Sequence, residues 1–224
     1  MIDEVGPLWM SLKVATVATV LVASAGLPIA FLLARARFPG RGLVAGLLAL
    51  PLVLPPTVLG YLLLQVFGRR AWLGAWLERT LDATVVFHWT GAVLASAVAA
   101  FPLFLLPARN AFEAVDPGLE DAARLLGRGE ASVFLAVTLP LAWRGLAAGT
   151  ALAFARALGD FGATMMVAGD IPGLTQTASL AIYDAVQEGN HARAARLAVC
   201  VSSISIAALA FVHRTLPGGR GGKP

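Results

Sequence analysis

Charge is what this chain has least of. Only 13% of its 224 residues are Asp, Glu, Lys or Arg, against about 25% in soluble domains. Hydrophobic residues make up 58% and the mean hydropathy is +0.78. A soluble enzyme, a disordered segment and a nucleic-acid-binding domain all need more charge; a protein that crosses a lipid bilayer several times does not. Cysteine is nearly absent too. Cys200 stands alone, so neither a disulfide within the chain nor a Cys-based metal site is available. His88, His191 and His213 show no ligand spacing. No Gly-x-x-x-x-Gly-Lys-Ser/Thr run occurs, the only Gly-Lys being Gly222-Lys223 before Pro224. A nucleotide that drives this protein must therefore bind another chain. No nucleophile–base set is readable either, so an enzyme acting within the membrane is not expected.

What is present is long apolar runs. No charged residue or histidine falls in 14–34, 42–68 or 89–108, and each run is long enough to cross a hydrocarbon core about 30 Å thick. A fourth stretch, 141–168, is interrupted only by Arg144, Arg156 and Asp160. A fifth, 197–212, is shorter but can be extended by the helix-favouring 192–195. Five transmembrane helices are expected, in a single domain over 1–216 with a disordered basic tail at 217–224. Asp3 and Glu4 occupy the place where a signal peptide carries basic residues, so the start reads as a span.

Basic residues set the orientation. The loop 35–41, the loop 109–144 and the tail from 213 together hold ten Lys or Arg and five acids. The opposite face holds six basic residues and seven acids. The first face is expected in the cytoplasm, with the N-terminus outside and the C-terminus inside. The net charge of +4 and pI near 10.0 follow from the same bias and imply no nucleic-acid partner.

Within the long cytoplasmic segment, Asp116-Pro117 is a helix start, a capping side chain followed by proline at the first helical position. Polar Glu120, Asp121 and Arg124 alternate with Leu119, Ala122, Ala123, Leu125 and Leu126. Glu120 and Arg124 stand four apart in the favourable acid-first order, and Gly127 supplies the stop. A helix this short and this apolar on one side either lies on lipid or docks into a cytoplasmic partner. The absence of a nearby Trp or Phe anchor favours docking.

Two spans carry more than anchoring requires. Pro51, Pro55 and Pro56 interrupt the second, and the carbonyls they free need protein or water around them. Beyond them Thr57, Tyr61 and Gln65 recur on one helical face, as a wall for a hydrated solute or as bonds to neighbouring helices. In the fourth span Arg156, Asp160 and Thr164 are again four apart, with Gly159 and Gly162 flanking the acid. Ionisable residues at that depth are costly and point to function; a salt bridge fixing the packing of two subunits is the other reading.

The cytoplasmic segment resembles the EAA motif of ABC-type importer permeases. Asp121-Ala122-Ala123, Gly127, Val137 and Leu139-Pro140 match its spacing, with Asp for Glu and Val for Ile. The stretches PLVLPPTVLGYLLL (51–64) and ALAFARALGDFGATMMV (151–167) are similar to the molybdate importer permeases, where Glu usually stands at the position of Asp160. The resemblance implies an all-α type I importer permease fold with a short coupling helix. It also implies a homodimer in a bacterial plasma (inner) membrane and an oxyanion as solute: molybdate or tungstate, with sulfate the alternative. Two cytoplasmic ATPase subunits would hold ATP and Mg, this chain holding no cofactor, and a periplasmic or extracellular binding protein would deliver the ion. Glu120, Asp121, Ala122, Ala123, Arg124, Gly127, Leu139 and Pro140 would serve coupling. Pro55, Pro56, Thr57, Tyr61, Gln65, Arg156, Gly159, Asp160, Gly162 and Thr164 would serve the pathway or gate. An ion-gradient transporter working alone, with Arg156 and Asp160 as its coupling pair, is the competing class; an odd span count and the lack of an inverted repeat speak against it.

Overall fold

Prolines and glycines decide where the apolar runs stop being helix. In the computed structural model of the chain, which describes residues 2–81 and 84–215, the first run is a single helix, α1 (Ile2–Arg35), that absorbs Pro28. The second run is split into α2 (Arg41–Val53) and α3 (Pro56–Phe67), whose axes turn by 116° at the break. Pro51 was expected to contribute to that break and does not; it lies inside α2. A lone proline removes one helical hydrogen bond, whereas Pro55-Pro56 deprives two successive residues of donors and forces the residues before them to extend. Leu54 accordingly leaves the helix with φ −69° and ψ 138°.

The remaining elements are α4 (Trp72–Leu81), α5 (Trp89–Glu113), α6 (Pro117–Leu125) and α7 (Glu130–Val133), then a π-helical turn (Phe134–Thr138) leading into α8 (Leu139–Leu158). After these come α9 (Gly162–Ala168), α10 (Ala178–Gln187) and α11 (His191–Thr215). Helix is the regular structure of the described residues, with no strand among them. Four continuous helices are long and apolar enough to span a membrane, and the bent α2–α3 pair makes a fifth if it crosses as one.

The fourth span differs from the expected 141–168. Helix is continuous over Glu130–Leu158, then opens at Gly159–Phe161 before α9 resumes. Charged Glu130 and Arg144 did not exclude their segment from helix, because a helix can run out of the bilayer into water. The basic tail expected at 217–224 lies outside the described residues.

Helix α5 is the packing centre. Its most apolar window is 61% buried, against 11% for that of α11, so the flank of α11 lies open. Gly91, Ala92, Ala95, Ser96, Ala99, Ala100 and Ala108 of α5 are all buried. Small side chains bring backbones close where apolar helices gain nothing from leaving lipid. One cluster joins Val14, Ala18 and Val22 of α1 to Ala100 and Phe104 of α5 and Ala153 and Ala157 of α8. A second joins Leu59 and Leu63 of α3 to Ala95, Ala99, Ala163 and Val167. At the α6 end, Phe31 meets Phe112 and Phe134 edge to face, with centroids 5.4 and 4.9 Å away, and Phe112 and Phe134 lie tilted at 6.2 Å.

Candidate functional site

Helix α6 forms from its own local signals. The Asp116 carboxylate accepts from the Gly118 N–H at 2.8 Å, Pro117 occupies the first helical position, and Gly127 closes the turn with φ +82°. A side chain is strained at that φ, so Gly127 is required by the backbone whatever docks there. Leu125 and Leu126 are 90% and 85% exposed, and Leu119, Asp121 and Ala122 are exposed beside them, with Ala123 half-buried. This is a largely apolar surface with nothing among the described residues to cover it.

Arg124 does not favour Glu120 as the spacing suggested. It bonds to Asp121 at 2.7 Å and reaches forward to Glu130 at 2.7 Å, while Glu120 stands 4.0 Å away. Glu120 is 5% exposed and turns inward, to Arg35 at 2.7 Å and to the Thr138 hydroxyl at 2.7 Å. A buried carboxylate persists only with such partners. Neither Arg35 nor Thr138 stood out in the sequence. The signal for Thr138 was Pro140, which cannot donate to the carbonyl four residues back. The helix widens there, and the Leu139 N–H bonds to the Phe134 carbonyl. Arg41 pairs with Glu113 at the end of α5, so the basic loop 35–41 lies beside α6, to which Arg35 is tied.

On α3, Thr57, Tyr61 and Gln65 share an exposed face, with the Gln65 amide donating to the Tyr61 hydroxyl at 2.8 Å. None of the three touches another helix through a side-chain hydrogen bond among the described residues. The start of α3 is pressed against α9: a Cβ on Gly162 would lie 2.8 Å from the Pro56 Cβ.

Arg156, Asp160 and Thr164 meet, though not on one continuous helix. Asp160 lies in the break, 2% exposed, and its carboxylate accepts from the Thr164 N–H at 3.0 Å and hydroxyl at 2.7 Å. Arg156 approaches its other oxygen at 2.9 Å. Thr164 is fully buried, with Ser96 of α5 at 3.4 Å, and both its donors hold Asp160. Gly159 only ends α8; no atom crowds the place of its Cβ. Past α9, the Gln176 amide donates to Asp184 at 2.7 Å. Burial, with hydrogen bonding to Asp184, pushes the Asp170 carboxyl up to about 6.

Residues 26–217 match the family described as binding-protein-dependent transport system inner membrane component. The chain belongs to that family. Permeases of this kind include the molybdenum transport system permease protein ModB of Escherichia coli (strain K12), 47% identical over 91% of this chain and 88% of that protein. The sulfate transport system permease protein CysT of the same strain is 35% identical over 91% of this chain and 73% of that protein. Among solved structures, the MetNI methionine ABC transporter in its inward-facing form matches with a TM-score of 0.74 at 18% identity. That match covers 96% of this chain and 95% of that one. The permease therefore has the all-α fold of type I ABC importers.

Proposed function

We propose that two copies of this chain form the membrane path of an ATP-driven importer for an oxyanion, molybdate in the first place and tungstate with it. The observation that carries the reading is graded identity, higher to the molybdenum permease than to the sulfate permease over the same share of the chain. The uncovered leucines of α6 support a cytoplasmic ATPase partner, one per copy, carrying ATP and Mg. A binding protein outside the membrane would supply the ion. Residues 1–216 would act as one transmembrane unit, with 217–224 a basic cytoplasmic tail and the N-terminus outside. Proximity of the basic loop 35–41 to α6 supports that orientation. Transport then proceeds by alternating access, as cleft closure in the ATPase moves α6. Weak contacts from Thr57, Tyr61 and Gln65 would let an ion pass without being trapped.

The test is uptake of labelled molybdate by proteoliposomes holding permease, ATPase and binding protein. Tungstate should compete and excess sulfate should not. Equal competition by sulfate would turn the reading to a general sulfate-type permease. Uptake without ATP that an uncoupler abolishes would remove the ATPase from it.

A further inference from the structure

Glu120 is the one buried residue of α6, and it faces away from the leucines left open for a partner. Its Oε1 accepts from the Arg35 guanidinium at 2.7 Å and from the Thr138 hydroxyl at 2.7 Å. Arg35, the last residue of α1, also donates to the Val115 carbonyl at 3.3 Å. One carboxylate thereby ties the start of α6 to the end of α1 and to the foot of α8.

The point it reaches, at the base of α8, is where the helix is irregular. Thr138 is the last residue of the π-helical turn, where the regular bonding pattern gives way before Pro140. Such turns are common at functional sites. The first residue of that turn, Phe134, is wedged against Phe31 and Phe112, so the turn is held at both ends. The other tie between α6 and this helix, Arg124 to Glu130 at 2.7 Å, is exposed and weakened by solvent.

We propose that Glu120 is a positioning residue that makes α6 and the base of α8 move as one body. A displacement imposed on α6 then reaches α8 and the break at Asp160 instead of being absorbed in the π-helical turn. The proposal rests on α6 being the ATPase-docking helix, and it adds Arg35 and Thr138 to the parts that coupling needs.

The test uses the assembled transporter in proteoliposomes and reads three things: ATPase co-purification, basal ATP hydrolysis, and molybdate imported per ATP. Thr138→Val removes one hydrogen bond at nearly constant volume. It should leave co-purification and basal hydrolysis unchanged and lower import per ATP at least about fivefold, the lower end of typical coupling effects. Thr138→Ser, which keeps the hydroxyl, should restore it. The double variant Glu120→Met/Arg35→Met removes both charges together, which a buried pair tolerates far better than loss of one partner. It should co-purify with the ATPase and couple worse than Thr138→Val. Full coupling in Thr138→Val, or an equal defect in Thr138→Ser, overturns the proposal. Loss of the ATPase from the double variant alone would make Glu120 a docking residue instead. Failure of the unaltered permease to hold any ATPase overturns the docking reading itself, and this proposal with it.

Discussion

Thr164 gives both its backbone N–H and its hydroxyl to a single oxygen of Asp160, at 3.0 and 2.7 Å, which leaves the other oxygen to Arg156. A carboxylate paired on both oxygens braces the break between α8 and α9. Asp160→Asn keeps an acceptor for Thr164 and turns an amide toward Arg156. The loss of a charged hydrogen bond is worth about 1.5–3 kcal/mol, readable as a lower unfolding temperature in detergent. Maximal uptake should fall while apparent affinity for molybdate holds. A variant whose only defect is weaker affinity would contradict this.

Gly127 and Ala122 separate two effects that a bulky substitution confounds. At Gly127 any side chain meets a φ of +82° but nothing within 4 Å, so Gly127→Ala costs about 1–2 kcal/mol through strain alone. Ala122 is helical and exposed. Ala122→Trp should leave the unfolding temperature of the permease unchanged and abolish ATPase co-purification. Retained ATPase would remove α6 from the interface.

Gly162→Val places a branched side chain against Pro56, 2.8 Å from where its Cβ would stand. Overpacking of this kind costs about 1–3 kcal/mol, and here it pries α3 from α9. Thermal stability should drop, and Ala163→Val, whose buried neighbourhood includes Leu59 and Leu63, should act in the same direction.

Acid should tighten the loop before α10. Asp170 takes up a proton near pH 6 in the fold and near the ordinary 3.8 when unfolded. The folded loop therefore holds the extra proton between those values. Its stability is greatest at and below about pH 4, declines as pH rises to 6 and is flat above. Hydrogen exchange across 169–177, corrected for intrinsic rate, should be slower at pH 5 than at pH 7.5. Asp170→Asn should erase the difference.

Features written in neighbouring residues were legible in the sequence. Asp116, Pro117 and Gly127 bound a helix by local chemistry, and the structure has it there. The Arg156–Asp160–Thr164 spacing brought those groups together even though Gly159 ends the helix between them, because residues four apart stay close across one open turn. What stayed hidden depends on distant partners. Nothing near Glu120 reveals that it turns inward, since Arg35 is 85 positions away. The extension of helix back to Glu130 was hidden because hydropathy marks where lipid begins, not where helix does. Pro140 announced a disturbance, but not that it would aim Thr138 at Glu120.

The bare face of α3 has a consequence for how much of this protein a cell can keep. A solitary copy offers a hydroxyl, a phenol and an amide to hydrocarbon, where each is poorly accommodated. In the proposed homodimer a facing second copy would enclose that strip with water and relieve it. Unpaired chains would thus carry a visible sign of incompleteness, one that membrane proteases and chaperones are suited to read. Because each copy is the other's mate, chains made too sparsely to pair would be the ones removed, and abundance would rise more steeply than synthesis.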